Sequence, residues 1–442
     1  MFTGKSSGKL GIFDFFEIGE DYNAKGLDLT EIYKGGFLWD LVDVETGVVS
    51  VPMIDEYDID GFMVGDWVKG GFAGKKIDTG DIEPLDSLTP SGKLETARKN
   101  FDVEMEKVEE IMEDEEGLLV TVHQLTDRVI HFGTEGKFEA VYGHVDKKLG
   151  GIVDRCEEEG WNLLIVSDHG GKKIEERFNL NTWLKENGYL ELEGGFSWET
   201  RVASFLSRYS TNFVRSCMEA VKKLHRMFRG KEKDTARGMA TENIDFKNTK
   251  AFTLSTLLGD TMGIWINTEG RFSEGNVDEE EKEDLVEEIK EKLEKERAVK
   301  EVWRREEKLN VGELNFNLPD LVVKAEGGFL MGYRPMPKVY SKRNRFTHDQ
   351  YGTIMGFGPD FDRVGEVEGI EIKDVTPTLL HMFGEDVPED MDGEVRKEML
   401  SEEHKGRDVS YRKGTGPGKI RRMDEEEETE MKERLSKLGY MD

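Results

Sequence analysis

Residues 163 to 171 read Leu-Leu-Ile-Val-Ser-Asp-His-Gly-Gly: four apolar residues in a row, then an abrupt change to polar groups and glycine. A run this short does not fill a helix and suits a strand covered on both faces of a parallel sheet. Open α/β sheets place their chemistry at the carboxyl ends of such strands, where the chain turns. Asp168 offers a hard anionic oxygen and His169 a borderline nitrogen, a pairing that suits Zn²⁺ or Mn²⁺. Gly170 and Gly171 allow a tight backbone turn beside an ion or a phosphate. A strand ending in a polar turn would produce the same residues, so this stretch alone leaves both readings open.

The segments before it extend the pattern. Residues 91 to 112 are helical and highly charged, and Gly117 to Val122 reads as a second buried strand. In the Thr-Asp-Arg-Val-Ile-His that follows, Asp127 and His131 are four positions apart and share one face if the segment is helical. A carboxylate and an imidazole one turn apart can hold one ion, although a surface helix with Asp127 favoured near its start would look alike. Val141, Val145, Leu149, Ile152 and Cys156 then recur at helical spacing over 138 to 159, with Gly160 suited to the C-terminal cap. Strand, helix and strand joined by short turns make a βαβ unit, which predicts a parallel sheet around Leu163 to Val166.

Beyond the glycines, Phe178 to Leu192 reads as a helix with a glycine stop and a short strand. Between Arg208 and Arg237 nine Lys or Arg face three Asp or Glu. That island could draw in an anionic substrate; a solvated face of an inserted cap, with Phe213, Met218, Val221, Leu224 and Phe228 inward, explains it as well. Residues 278 to 300 form a charged helix with Leu285, Ile289 and Leu293 on one stripe. His348 falls in a polar loop ahead of a strand. Thr376-Pro377 is a helix-start signature, residues 388 to 393 are turn-rich, and Met431, Leu435 and Leu438 give the C-terminal segment a small apolar stripe.

Charge and cysteine count narrow the function classes. The 442 residues carry 93 acidic and 62 basic groups, a formal net charge of −31. Such a balance argues against general nucleic-acid binding, permits a cation site, and matches proteins adapted to a salty cytoplasm, where salt screens the self-repulsion. Cys156 and Cys217 are far apart with no CxxC, which fits a reducing interior. No run of about 18 apolar residues predicts a membrane span, and the N-terminus lacks a secretory pattern. A cytoplasmic location is the expectation.

Taken together, these landmarks resemble the alkaline phosphatase superfamily, and within it the type I phosphodiesterase/nucleotide pyrophosphatase-like phosphohydrolases. Thr3 to Ile12 resembles the loop after the nucleophile helix, Thr126 to His131 the Asp-x-x-x-His metal motif, and Ser167 to Gly171 the motif of the second metal. Thr347 to Pro359 resembles the late His loop and strand, Asp374 to Gly393 the closing segment, and Glu433 to Asp442 the C-terminal helix. The resemblance implies a metal-dependent phosphohydrolase, foremost a phosphodiesterase, acting on a small phosphorylated substrate with two divalent ions, Zn²⁺ or Mn²⁺. Asp127, His131 and His348 match the ligands of one ion, and Asp168 and His169 two ligands of the other, so the first three must converge although His348 is more than 200 positions from Asp127. The family also has a first strand bearing an Asp, followed by a Thr or Ser nucleophile, ahead of the segment that Thr3 opens. Neither stands ahead of Thr3, and the expectation is a chain that lacks them. A non-catalytic metal- or phosphate-binding relative, or a sulfatase- or phosphoglycerate mutase-like member, is the alternative. The implied fold is a three-layer α/β/α core with a mainly parallel sheet, its parts at 1–194 and 311–404, an inserted smaller cap at 195–310, and a charged tail at 405–442.

Overall fold

The structure is a computed structural model that describes residues 1–10, 16–26, 33, 35–52, 54, 57–64, 83, 85, 89–114, 117–194, 244–254, 256–257, 261–308, 318–363 and 365–414. The basic island at 208–237, with its five apolar positions, and the C-terminal stripe of Met431, Leu435 and Leu438 lie outside the described residues. The chain divides into two units. One comprises Met1–Leu10, Leu27–Gly171 and Tyr351–Met441; the other is built from Gly11–Gly26 and Lys172–Gln350. The second is thus wider than the insertion expected at 195–310.

The first unit is α/β. Strands β1 (Thr46–Val49), β2 (Gly61–Val64) and β3 (Leu118–Thr121) form a parallel sheet in the order β2-β1-β3. Helix α1 (Pro90–Asp114) leads into β3, and α2 (Leu125–Phe132) and α3 (Glu135–Glu159) follow it. Gly160 caps α3 at φ +70, in the left-handed region that favours glycine. Successive strand residues point to opposite faces, and they meet different layers here. Leu119 packs with Phe101, Met105, Val129 and Val141 of the three helices. Leu118 packs with Leu38, Leu41 and Leu380 on the other side, the last from the helix Val375–Phe383. Helices therefore cover both faces of the sheet, the three-layer arrangement of an α/β/α core.

Strand β4 (Leu163–Val166) behaves alike: Leu163 joins the α1–α3 core, and Leu164 the small cluster around Phe361, Met399 and Leu400. Two expectations are corrected here. All four residues of β4, and all four of β3, are half-buried rather than buried on both faces. Moreover, β4 pairs antiparallel with the strand Ile354–Phe357, with Val166 opposite Ile354 and Leu163 opposite Phe357. An apolar run reports that a strand is covered by side chains above and below; it carries no record of which segment hydrogen-bonds along its edge.

At the start of the chain, the Thr3–Lys9 segment is clasped by the turn-rich 388–393 segment. Gly4, at φ +63, offers its carbonyl to the N–H groups of Asp392 and Gly393. Lys5 pairs with Asp390 at 2.6 Å, and Asp392 accepts from Ser6 and Lys9. Thr376 donates to the Met1 carbonyl at 2.8 Å.

The second unit is mainly antiparallel. Among its strands are β5 (Gly170–Asn179), whose first two residues belong to the first unit, β6 (Ala251–Phe252), β7 (Thr261–Ile266), β8 (Val299–Arg304), β9 (Leu321–Ala325), β10 (Phe329–Gly332) and β11 (Tyr340–Asp349). Strands β8-β9-β7-β6 form an antiparallel sheet, and β10-β5-β11 a second sheet in which β10 runs parallel to β5. The predicted charged helix is Glu279–Leu293, opened by Asp278, whose carboxylate accepts from the Glu281 N–H at 2.7 Å. Its stripe of Leu285, Val286, Ile289 and Leu293 is buried with Phe252, Trp265 and Leu184 in one core.

Candidate metal centre

Helix α2 presents Asp127 and His131 on one face, as their spacing requires. The carboxylate Oδ1 of Asp127 stands 3.3 Å from Nε2 of His131. Loop residue His169, just past β4, brings its own Nε2 to 3.9 Å from the same oxygen. The other oxygen, Oδ2, lies 3.5 Å from the guanidinium of Arg128, a residue only 2% exposed. Arg128 is in turn held by Gln124, whose side-chain oxygen accepts from its Nη2. One side of the Asp127 carboxylate thus leans on a buried cation, while the other faces two imidazoles.

The proton on His169 can be assigned from its partner. Its Nδ1 lies 3.1 Å from the carbonyl of Gly170, and a carbonyl only accepts, so Nδ1 carries the hydrogen. In the neutral ring Nε2 is then the bare nitrogen, the orientation in which a histidine serves as a metal ligand. Asp168 accepts from the His169 N–H at 3.0 Å and sets its Oδ2 3.5 Å from His169 Nε2, while its side chain is 74% exposed. His169 therefore sits between two carboxylates, one buried and one open to solvent.

Two local devices fix this loop. Ser167 accepts from the Thr353 N–H at 2.7 Å, and its own N–H donates to the Thr353 carbonyl at 2.9 Å. A Cβ at Gly352 would stand 2.4 Å from Ser167 Oγ, so the approach needs glycine. Gly170 and Gly171, expected as a turn, instead begin the long strand β5. The reason for glycine at 171 is close packing: a Cβ there would meet Ile130 Cδ1 of α2 at 2.9 Å, which keeps the helix bearing Asp127 and His131 against the loop bearing His169.

His348 was expected in a polar loop; it is half-buried in strand β11, which belongs to the second unit, shortly before the chain re-enters the first at Tyr351. Residues 340–349 are mostly polar without alternation, and polarity alone does not separate a strand with a wet face from a loop. Two further neighbours of Asp127 were not legible in the sequence. Arg128 is masked by its position in a charged helix, where solvent exposure is the default. Tyr142, on α3, is 46% exposed, and its pKa is raised by partial desolvation and by the charge of Asp127. The Asp-x-x-x-His motif did signal this helix.

A model of the family described as type I phosphodiesterase / nucleotide pyrophosphatase matches residues 1–352. No curated protein matches the chain. Among solved structures, murine ectonucleotide pyrophosphatase/phosphodiesterase 5 is similar at 13% identity and a TM-score of 0.46, over 90% of this chain and 86% of that one. Phosphonoacetate hydrolase from Sinorhizobium meliloti, in complex with phosphonoacetate, has 13% identity and a TM-score of 0.40 over 80% and 76%. The alkaline phosphatase PafA has 14% identity and a TM-score of 0.36 over 71% and 53%. Among the described residues no helix is long and apolar enough to cross a membrane.

Proposed function

The chain belongs to the type I phosphodiesterase / nucleotide pyrophosphatase family, a family of phosphoester hydrolases, and from that premise we propose that it cleaves phosphodiester or pyrophosphate bonds in a small phosphorylated substrate at a two-ion centre. The observation that carries the reading is the Asp127 carboxylate, one oxygen braced by Arg128 and the other facing Nε2 of His131 and of His169 at 3.3 and 3.9 Å. A carboxylate oxygen and imidazole nitrogens are the donor set that Zn²⁺ or Mn²⁺ takes, and the bare Nε2 of His169 is oriented to serve. Asp127, His131 and His348 are the set proposed for one ion; Asp168 and His169 are proposed for the other.

Divalent ions held there would stabilise the charge that develops on a transferring phosphoryl group. The chain's own groups would hold the donors of those ions in place. Arg128 fixes the Asp127 carboxylate, and the Gly170 carbonyl fixes the proton of His169 on Nδ1. Hydrolysis of bis(p-nitrophenyl) phosphate tests the reading. Turnover should vanish on chelation, return with Zn²⁺ or Mn²⁺, and fall at least a hundredfold in Asp127→Ala and His169→Ala. Turnover that survives chelation, or survives both substitutions in folded protein, would overturn it.

A further inference from the structure

The three-stranded sheet β10-β5-β11 of the second unit gathers arginines in a chain whose net charge is −31. Arg177 lies in the middle strand, opposite Leu330 of β10. Its guanidinium occupies the space beside Gly332, where a Cβ would stand 2.1 Å from Nε and 2.7 Å from Cζ, so any other residue at 332 would displace it. Nε of Arg177 is buried and has no hydrogen-bond partner among the described residues. Burying an ionised donor without an acceptor is costly, and structures usually answer it with an anion.

Its surroundings do not supply one as their strongest effect. Burial pulls the Arg177 pKa down to about 10, and the next largest influences, from Arg343 and Arg334, act in the same direction, with Arg345 adding to them; the phenol of Tyr333 opposes. Arg343 and Arg345 are two apart on β11 and so share a face. Arg343 is exposed and Arg345 half-buried. Arg334 follows the end of β10 and lies over the ring of Tyr333 at 5.9 Å. Four planar forks of one sign, one of them with a buried and unanswered Nε–H, are what recognition of a multiply charged oxyanion needs.

We propose that Arg177, Arg334, Arg343 and Arg345 form a binding site for a phosphate group, built from none of the residues assigned to the metal centre. Arg177, half-buried with its Nε fully covered, is its anchor, and Arg343 and Arg345 close on the ligand from the solvent side. The phosphate is either the free ion or a monoester on an organic carrier, since both present the same oxygens.

The test is calorimetric titration of the metal-stripped full chain with inorganic phosphate and, separately, with phenyl phosphate. Removing metal silences the catalytic centre, so failure of the hydrolase reading and failure of this one are distinguishable. One phosphate should bind per chain, roughly tenfold or more weaker in Arg343→Gln, which alters an exposed side chain, and weaker still in Arg343→Gln/Arg345→Gln. Arg177→Gln should abolish it; if that variant does not fold, the exposed Arg343 decides. Equal binding of both probes assigns the site to the phosphate group whatever carries it, and binding of inorganic phosphate alone assigns it to the free ion; either supports the site. No binding at millimolar phosphate, or binding that Arg343→Gln and the double variant leave unchanged, overturns it.

Discussion

Replacing Asp392 by Asn should loosen the clasp that holds the start of the chain to its closing segment. The Asp392 carboxylate accepts from the Ser6 N–H at 2.8 Å, the Ser6 hydroxyl at 2.7 Å and the Lys9 ammonium at 3.1 Å. Burial alone would push this carboxyl up, but those donors more than offset it and hold it below its ordinary value. Asparagine keeps the shape and one acceptor. Two charge-assisted bonds become neutral ones, a loss of about 1 kcal/mol each. The ion pair with Lys9 is partly exposed and adds at most about 1 kcal/mol. The loss is therefore about 2–3 kcal/mol at neutral pH.

The sign with pH follows from the depressed folded value. The folded state holds its proton more weakly than the unfolded chain, whose aspartates titrate near about 3.9. The stabilisation is complete above that value and is lost as pH falls through the folded pKa. Urea unfolding followed by tryptophan fluorescence, with Trp39 and Trp161 reporting on the first unit, measures it. The two units can unfold separately, so the transition of the first is the one to compare. A loss under about 0.5 kcal/mol at pH 7, or one that does not shrink below about pH 4, would refute the assignment of these contacts.

Gly352→Ala should force the Ser167 hydroxyl off Thr353, costing about 1–3 kcal/mol and weakening Zn²⁺ binding measured by calorimetry; unchanged affinity and melting would show that the loop does not need this approach. Phe252, fully buried among Tyr22, Phe246 and Phe272, should cost about 3–5 kcal/mol when replaced by Ala, read as a shift of the second unit's unfolding midpoint. A cost below about 1 kcal/mol would mean that this aromatic cluster is not packed as described. Burial lowers the pKa of His381, whose Nε2 donates to the His404 carbonyl at 2.9 Å. The unfolded chain then takes up the proton first, so the contribution is full above about pH 6.5 and lost as pH falls toward the folded pKa. Melting between pH 7.5 and 5.5 should be less pH-dependent in His381→Gln, and equal slopes would contradict this.

What the sequence disclosed follows from what local pattern can encode. The i, i+4 spacing of Asp127 and His131 survives into the structure because a helix fixes which residues are neighbours. The stripe of α3, its Gly160 cap and the abrupt end of β4 at Ser167 were legible for the same reason. Pairing at long range was not. Nothing in Leu163 to Val166 says that Ile354–Phe357 lies antiparallel beside it, and nothing in the polar run around His348 says that it is a strand. Arg128 escaped notice because a charged residue in a helix is by default solvated; only packing reveals that this one is buried behind Asp127. The arginines of β5 and β11 are over 160 positions apart, and each alone reads as ordinary surface charge.

The central claim is that Asp127, braced by Arg128 and facing His131 and His169, holds a divalent ion. Calorimetric titration of the metal-stripped chain with Zn²⁺ and with Mn²⁺ tests it without relying on turnover, beside circular dichroism to show that each variant is folded. The account predicts saturable binding of up to two ions per chain, weakened at least tenfold to a hundredfold in Asp127→Ala and in His131→Ala, with a smaller loss in Arg128→Gln. Binding that folded Asp127→Ala retains at full affinity, or no binding by the unaltered chain, would contradict it.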